Sequence, residues 1–250
     1  TQLGLSNRRW EKIWASDQIN MDDNGKVQLG TNHDLQVWAD GSNSYIQHSG
    51  DGDLFVQATG ADENLWLRAK DDVYIQTNDN ENSAKFLKNG AVELYYDNVK
   101  KFETTADGIA VTGQSDFTGQ LKEAVVVTNG KLSDNTNLDI ASGNVFLFTT
   151  AESTTSTPNL RYNSSTTLDS KMSVGDCLSV TIITTANASG YSAQLTIDGA
   201  AVTENWTGGS APSGGGSSGK DIHAYTIIKT GTSGTLANDY TVIANHTKTS

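Results

Sequence analysis

Residues 54–75, LFVQATGADENLWLRAKDDVYI, show the clearest alternation of apolar and polar residues in this chain. Apolar residues recur there two positions apart, and polar turn-forming residues separate one group from the next. The recurring apolar residues are Leu54 and Val56, Leu65 and Leu67, and Val73 and Ile75. Alternation of this kind, bounded by Gly, Asn and Asp, is typical of short strands joined by tight turns. The stretch therefore predicts β-strands.

The same pattern extends outward in both directions, from about Ile19 to Thr112. The apolar residues that mark successive strands are spaced 8 to 11 residues apart, and they are Leu29, Val37, Ile46, Val56, Leu67 and Ile75. Clusters of Gly, Asn and Asp lie between them, as in Gly50-Asp51-Gly52-Asp53. We expect residues 21–120 to form a repetitive β stem.

Each strand of this stem has too little apolar surface to hold itself in place. Two or three inward side chains contribute roughly 5–8 kcal/mol. Ordering the 8 to 11 residues of one repeat costs about 1.5 kcal/mol per residue. Because the balance is unfavourable for a single chain, we expect three copies to wind into an intertwined homotrimeric shaft. A single-chain β-solenoid is the alternative.

Two segments flank the stem. Residues 1–20 are expected to be an attachment or lead-in segment, in which residues 6–15 have helical spacing and Ser6 as a candidate cap. An irregular or extended lead-in is the alternative for these residues. Residues 121–142 are expected to be a connector, with a strand at residues 122–127 and a hairpin turn at Asn129-Gly130, a dipeptide typical of such turns.

Residues 143–250 differ in character, because the predicted strands become longer and richer in β-branched residues. These strands cover residues 145–148, 177–185, 192–197, 222–229 and 240–244. Alternating strands at these wider intervals predict a β-sandwich of jelly-roll type. Residues 208–219, GGSAPSGGGSSG, are expected to form a long loop between two strands. The fold class predicted for the whole chain is all-β.

The composition argues against several classes of partner. The chain has 17 Lys and Arg against 29 Asp and Glu, for a formal net charge of -12. Since binding a polyanion needs a basic surface, we expect neither nucleic acid nor an anionic membrane as a main partner. No apolar run approaches the roughly 20 residues of a membrane-spanning helix, so no membrane insertion is expected. Cys177 is the only cysteine, which excludes a disulfide within the chain.

The motifs that suggest chemistry are weak. Gly214, Gly219 and Lys220 match the start of a phosphate-binding loop, but Asp221 stands where that loop needs Ser or Thr. The Asp-rich turns lack the spacing and the distal Glu of a calcium loop. The four histidines lack metal-ligand spacing and are expected to be surface or interface residues; they are His33, His48, His223 and His246. We therefore predict a protein that is not an enzyme, with no cofactor and no metal site.

Three aromatic residues near predicted turns are candidates for receptor binding, namely Tyr162, Tyr191 and Trp206. Aromatic faces beside polar loops hold sugar rings by stacking, with hydrogen bonds from Asn, Ser and Thr side chains. The alternative is that these three side chains pack in the sandwich core or at a trimer interface.

Two motifs resemble segments of tail-fibre and appendage proteins from marine, cyanophage-like bacteriophages. Residues 1–20, TQLGLSNRRWEKIWASDQIN, are similar to a Leu-Gly…Arg-Trp…Ile-Trp segment that recurs in those proteins. Residues 89–109, NGAVELYYDNVKKFETTADGI, are similar to a run that closes a repeat there. Residues 143–249 also resemble a C-terminal β-domain found in these phage proteins.

The resemblance implies a trimeric virion protein with a fibrous stem and a globular end that faces the host. We therefore expect an extracellular, non-enzymatic tail fibre on the virion. Its N-terminal end would contact other virion proteins, and its C-terminal domain would contact a host surface glycan or protein. A capsid or collar decoration spike without receptor binding is one alternative, and a surface-polysaccharide depolymerase is another. The two motifs carry no catalytic residues.

Overall fold

The computed structural model describes residues 13–78 and 80–249. The chain divides between Ser115 and Asp116 into two compact units, which we call the N-terminal unit and the C-terminal unit. The protein is mostly β, with 40% strand and 6% helix, as the all-β prediction expects. No helix in the described part is long and apolar enough to cross a bilayer. Most of the helix predicted for residues 6–15 lies within residues 1–12, which are outside the described residues.

A three-stranded antiparallel meander lies in the N-terminal unit. Its strands, in order across the sheet, are β1 (Lys26–Leu29), β2 (Leu35–Ala39) and β3 (Ser44–His48). The turn between β2 and β3 is held by the Asp40 carboxylate, which accepts the backbone N–H groups of Ser42 at 2.9 Å and Asn43 at 2.7 Å. An Asp side chain that bonds the backbone ahead of it is a common turn device, so these strands form where the sequence predicts them.

Residues 49–72 form no strand within the single chain. The strands predicted at Leu54/Val56 and Leu65/Leu67 fall in this segment and are not formed. A strand exists through hydrogen bonds to a neighbouring strand, and none of the strands described in this chain pairs with the segment. Its backbone therefore has no strand partner among the described residues, and its large apolar side chains are exposed.

A five-stranded antiparallel meander follows. Its strands, in order across the sheet, are β4 (Val73–Thr77), β5 (Glu81–Phe86), β6 (Val92–Tyr96), β7 (Val99–Thr105) and β8 (Gly108–Val111). β6 joins β7 through Asp97 and Asn98, whose φ angles are 51° and 57°. Two positive φ angles in succession are the type I′ geometry of a two-residue hairpin. Asn98 also accepts the backbone N–H of Asn82 at 2.8 Å through its side chain, which ties this turn to β5.

The C-terminal unit contains two sheets. Its elements, in chain order, are β9 (Val125–Thr128), β10 (Asn137–Asp139), β11 (Val145–Ala151), β12 (Asn159–Arg161), β13 (Cys177–Thr185), β14 (Thr196–Ile197), β15 (Ala200–Ala201), β16 (Glu204–Trp206), β17 (Lys220–Lys229), α1 (Leu236–Asp239) and β18 (Tyr240–Thr247). One sheet has the strand order β16-β18-β17-β13-β11-β9, and the other has the order β10-β12-β14-β15.

The two sheets of the C-terminal unit enclose one hydrophobic core. Leu160 from the four-stranded sheet and Ile182 and Ile227 from the six-stranded sheet are fully buried in the same cluster. Along β13 buried residues alternate with more exposed ones, as expected for a strand with one face on a core. The unit is therefore a two-sheet β-sandwich.

The pairing of the strands is mixed. β11 pairs in parallel with β9 and with β13, and β12 pairs in parallel with β10 and with β14. β17 is antiparallel to both β13 and β18. A jelly roll consists of antiparallel strands, so these parallel pairs depart from the type that the sequence predicts.

Some predicted elements of the C-terminal unit differ from the observed ones. Residues 121–142, expected to be a connector, supply β9 and β10 to the two sheets. The hairpin predicted at Asn129-Gly130 is wrong, because β9 pairs in parallel with β11 and neither turn residue has a positive φ. The strand predicted for residues 192–197 is limited to β14, preceded by a single bridge between Ser156 and Ser192.

Candidate functional site

The N-terminal unit exposes the apolar residues that mark its repeats. These six residues, Leu29, Val37, Ile46, Val56, Leu67 and Ile75, are between 41% and 72% exposed. Phe55 and Trp66, in the segment without strands, are 74% and 75% exposed. We call these eight side chains the apolar stem surface. Apolar surface left exposed in this way marks sites of protein interaction when the side chains lie together, so these residues are a candidate site of assembly.

The phosphate-loop match at Lys220 has a structural explanation. β17 begins at Lys220, where a phosphate-binding loop would need a helix. The Asp221 carboxylate is buried and accepts the backbone N–H groups of Gly216 at 2.6 Å and Thr249 at 3.0 Å. It therefore holds the loop of residues 208–219 and the end of the chain, and no anion is expected beside it.

Two of the histidines lie together, although the sequence separates them. The β17–β18 register places His223 opposite His246, and their rings stack with centroids 4.3 Å apart and planes 3° apart. His223 is fully buried, so the expectation that it is a surface or interface residue is wrong. Burial lowers the pKa of His223 to about 3, with the charge of His246 as the second cause.

The stacked histidines are not arranged as metal ligands. Rings that lie parallel direct their nitrogen lone pairs side by side, whereas a metal needs lone pairs that converge on one point. Neither nitrogen of His223 has a hydrogen-bond partner. Within residues 13–78 and 80–249, no group of three or more His, Cys, Asp or Glu side chains is placed to hold a metal ion.

The three aromatic candidates for receptor binding are half-buried and have separate surroundings. Tyr162 follows β12 and has the Lys171 ammonium 4.7 Å from its ring centroid. Tyr191 lies in the β13–β14 loop, where its carbonyl accepts the backbone N–H of Ser156 at 2.9 Å. Trp206 ends the edge strand β16 and packs against the core. The three residues therefore belong to three separate candidate sites.

A cavity of about 330 Å³ is lined by the residues that precede and follow Tyr162 in the sequence, and we call it the hydroxyl cavity. Its lining residues are Asn159, Arg161, Asn163, Ser164, Ser165, Thr166, Thr167, Asp198 and Gly199. Most of the polar groups that line it already have partners in the protein. Asp198 accepts the backbone N–H groups of Leu168 at 2.8 Å and Asp169 at 2.9 Å, and Arg161 donates to Asp139 at 2.6 Å.

A second cavity, of about 440 Å³, lies beside Trp206, and we call it the Trp206 cavity. Its lining residues are Ala193, Gln194, Ala201, Val202, Thr203, Glu204, Trp206 and Ala211. The Trp206 ring meets the buried Tyr225 ring edge-on, with centroids 6.3 Å apart, so packing against the core fixes its position. The lining combines an apolar wall with a polar edge, as small-molecule sites commonly do.

Glu204 supplies an unpaired polar atom at this cavity. Gln194 Nε2 donates to the carbonyl oxygens of Leu195 at 2.9 Å and Val202 at 2.8 Å, and lies 3.4 Å from Glu204 Oε2. Glu204 Oε1 is buried and has no hydrogen-bond partner. Burial raises the pKa of Glu204 to about 7, so near neutrality the carboxyl is partly in its uncharged form.

Glu204 was not predicted as a site residue, although the sequence contains a signal that places it beside Trp206. Glu204 and Trp206 are two residues apart, and alternate residues of a strand lie on the same face. The sequence by itself does not show that β15 and the residues after β13 would complete the cavity. No known family model, curated protein or solved structure matches this chain.

Proposed function

We propose that the protein is a structural virion component, a homotrimeric phage tail fibre. In this proposal the N-terminal unit assembles the stem and the C-terminal sandwich contacts the host cell surface. The observation that carries the proposal is the apolar stem surface, because a unit with so little buried apolar area needs other chains to cover it. The similarity of residues 1–20 and 89–109 to phage fibre segments supports the same function.

The exposure of the apolar stem surface supports assembly, because its eight side chains are between 41% and 75% exposed. Burying one Val, Leu, Ile or Phe side chain stabilises a protein by about 1.5–3 kcal/mol. Copies that cover the apolar stem surface would therefore gain several such contributions per chain.

The segment of residues 49–72 suggests how copies would contact one another. Its backbone lacks strand partners, and its apolar side chains, such as Phe55 and Trp66, are exposed. Unpaired strand-forming backbone with apolar side chains is a template for pairing with another chain. We infer that this segment becomes β-structure between copies, which would account for the strand pattern of its sequence.

The C-terminal sandwich is proposed as the receptor-contacting end. Tyr162, Tyr191 and Trp206 are the candidate contact residues, and a cell-surface glycan or protein is the expected partner. Three weak sites on one stem, repeated around a virion, raise the apparent affinity by orders of magnitude. This function requires a two-sheet sandwich at the fibre end and does not depend on a jelly-roll topology.

Competition for the host surface tests the receptor contact. Host cells are first coated with purified protein, and the rate of phage adsorption is then measured. The proposal predicts that adsorption slows as the amount of protein rises. An unchanged rate on fully coated cells would contradict receptor binding.

A capsid or collar decoration spike is the second candidate, because the polar groups of the hydroxyl cavity are largely satisfied within the protein. Electron microscopy of virions labelled with an antibody against the C-terminal unit separates the two functions. Label at the tips of tail fibres supports the fibre. Label on the capsid or collar shows a decoration spike.

A further inference from the structure

We propose that the Trp206 cavity binds an uncharged pyranose ring, with a face of the ring against Trp206 and its hydroxyl groups bonded to Glu204 and Thr203. This inference rests on the proposed function, since it names the ligand class for the receptor contact of the C-terminal unit. It also selects one of the three aromatic candidates.

The apolar wall of the cavity fits one face of a sugar. Trp206 is held edge-on against Tyr225, so its position is fixed before any ligand arrives. Val202 is buried beneath it, and the alanines of the lining leave the surface open because their side chains are short. The C–H groups of a pyranose ring pack on such a wall, and the volume of about 440 Å³ lies within the range of small-molecule sites.

The polar edge contains a group that needs a partner. A buried polar atom without a hydrogen bond is unfavourable, and Glu204 Oε1, which is closed off from solvent, is such an atom. Rotation of the Glu204 side chain into the cavity that it lines would let this oxygen bond to a ligand hydroxyl. A sugar hydroxyl both donates and accepts hydrogen bonds, as does an uncharged carboxyl group, so the two are complementary. The hydroxyl cavity differs in this respect, since Asp198 and Arg161 are already bonded within the protein.

The surroundings of Glu204 favour an uncharged ligand over a cation. None of the ion pairs found among the described residues includes Glu204. Tyr225 on β17 is a titratable group that the charge of Glu204 affects, and its pKa is raised mainly by burial and partly by that charge. With its pKa raised to about 7 by burial, Glu204 is uncharged in mildly acidic solution. A ligand that bonds to this form binds more tightly as the pH falls through that value.

Saturation-transfer NMR on the full chain tests the proposal. The probes are the methyl glycosides of glucose, galactose, mannose and N-acetylglucosamine, with glucosamine as the cationic comparison. We expect at least one methyl glycoside to bind, and to bind more tightly at about pH 6 than at about pH 8. Glu204→Ala is expected to weaken binding about tenfold or more, while Glu204→Gln retains binding and removes the pH dependence.

Two further variants separate binding from folding. Ala201→Trp fills the cavity while Trp206 stays in place, so it is expected to abolish binding without loss of the core contact between Trp206 and Tyr225. Val174→Trp, which introduces the same side chain at an exposed residue outside the lining of the cavity, is the matched control and is expected to bind normally. Thermal unfolding of each variant shows that the sandwich is folded.

Several outcomes would overturn the sugar assignment. The first is that none of the four methyl glycosides binds. The second is that a glycoside binds equally well to the Ala201→Trp variant. The third is that only glucosamine binds and that Glu204→Gln abolishes its binding. The last outcome would identify a cation site. If the protein blocks phage adsorption but binds no methyl glycoside, the receptor function stands and only the sugar assignment fails. If it binds sugar without blocking adsorption, the sugar assignment stands and the receptor function fails.

Discussion

The two units have the same kind of sequence alternation and opposite patterns of burial. In the C-terminal unit, Leu160 and Ile182 are fully buried between two sheets. In the N-terminal unit, Ile46 is 66% exposed although it occupies an equally regular position in its strand. Ala84 is the one side chain of the described part of that unit that counts as buried. The alternation therefore predicts strands in both units, but it does not tell which chain covers their apolar face.

This difference indicates two routes to stability for β-structure. The C-terminal unit brings a second sheet from its own sequence, so its apolar residues find partners within the chain. The N-terminal unit has two meanders whose apolar side chains are largely exposed, and a sheet has to bury its apolar face against another element to be stable. We infer that the missing layer is supplied by other copies of the chain.

The largest expected effect is the loss of assembly on placing a charge in the apolar stem surface. Trp66→Asp would bury an unpaired carboxylate between copies, which costs several kcal/mol. We expect the dissociation constant of the assembly to rise roughly a hundredfold or more. Sedimentation equilibrium measures it. Val174→Asp places the same charge at an exposed apolar residue of the C-terminal unit, and assembly of this control is expected to be unchanged. An equal rise in the dissociation constant for Trp66→Asp and Val174→Asp would show that the two units do not differ in their part in assembly.

The next effect is a loss of stability in the C-terminal unit, whose core is formed within the single chain. Ile182→Ala removes fully buried methylene and methyl groups, and it is expected to lower the free energy of unfolding of the C-terminal unit by about 2–5 kcal/mol. Ile46→Ala, the matched change in the N-terminal unit, should leave that transition unchanged and weaken assembly instead. Denaturant titration followed by the fluorescence of Trp206 measures the first effect, in a background where the other tryptophans are replaced by Phe. If Ile46→Ala shifts the C-terminal transition equally, the two units do not differ in this way.

The pH dependence of the C-terminal unit is expected to contain two opposite contributions. Burial lowers the pKa of His223 from 6.5 to about 3, so the unfolded chain binds more protons in that window and stability falls as the pH falls through it. Burial raises the pKa of Glu204 from 4.5 to about 7, so the folded chain binds more protons in that window and stability falls as the pH rises through it. The two contributions oppose each other between about pH 4.5 and 6.5.

Two variants separate these contributions. Glu204→Gln is expected to lose stability as the pH falls below 6.5, by at most about 1.4 kcal/mol per pH unit. The double variant His223→Leu/His246→Leu removes both histidines whose pKa burial lowers, so it is expected to lose stability as the pH rises from about 4.5 to 7. Denaturant midpoints measured across this range give both profiles. Profiles of the same sign in the two variants would contradict the assigned burial of one of the groups.

The smallest effect concerns a turn of the N-terminal unit. Asp97 has a φ of 51°, a conformation that costs a residue with a Cβ atom about 1–2 kcal/mol and costs Gly little. Asp97→Gly is expected to retain or slightly raise thermal stability, while Asp97→Ala is expected to lower it by about 1 kcal/mol. Thermal unfolding of the assembled protein compares the two. An Ala variant as stable as the Gly variant would show that the turn is not formed as described.

The sequence predicts the strands best where alternation and partner lie in the same chain. The predicted strand at residues 177–185 is observed as Cys177–Thr185, because β11 and β17 pair with its two edges and one of its faces packs on the core. Residues 49–72 have similar alternation and form no strand, since hydrogen-bond partners are missing from the single chain. Asn129-Gly130 failed as a hairpin signal because the direction of β11, a long-range property, decides that turn.

In the candidate site too, the sequence predicts what depends on local pattern and does not predict what depends on long-range contacts. Trp206 was found from its residue type and its position near a predicted turn. Glu204 was missed because its unusual pKa comes from burial by residues distant in sequence, which no local pattern reports. The contact of His223 with His246 depends on the register between β17 and β18, and a one-residue slip would place them on opposite faces.

We infer that the N-terminal unit is stable only when several copies cover its apolar stem surface. Analytical ultracentrifugation of the full chain, followed by its tryptophan fluorescence over a dilution series down to nanomolar concentration, checks this inference. At the higher concentrations we expect a folded species with the mass of three 26.6 kDa chains. Once dilution separates the copies, we expect the N-terminal strands to be lost, as seen by hydrogen exchange. A single chain that keeps both units folded and heat-resistant at that dilution would contradict it.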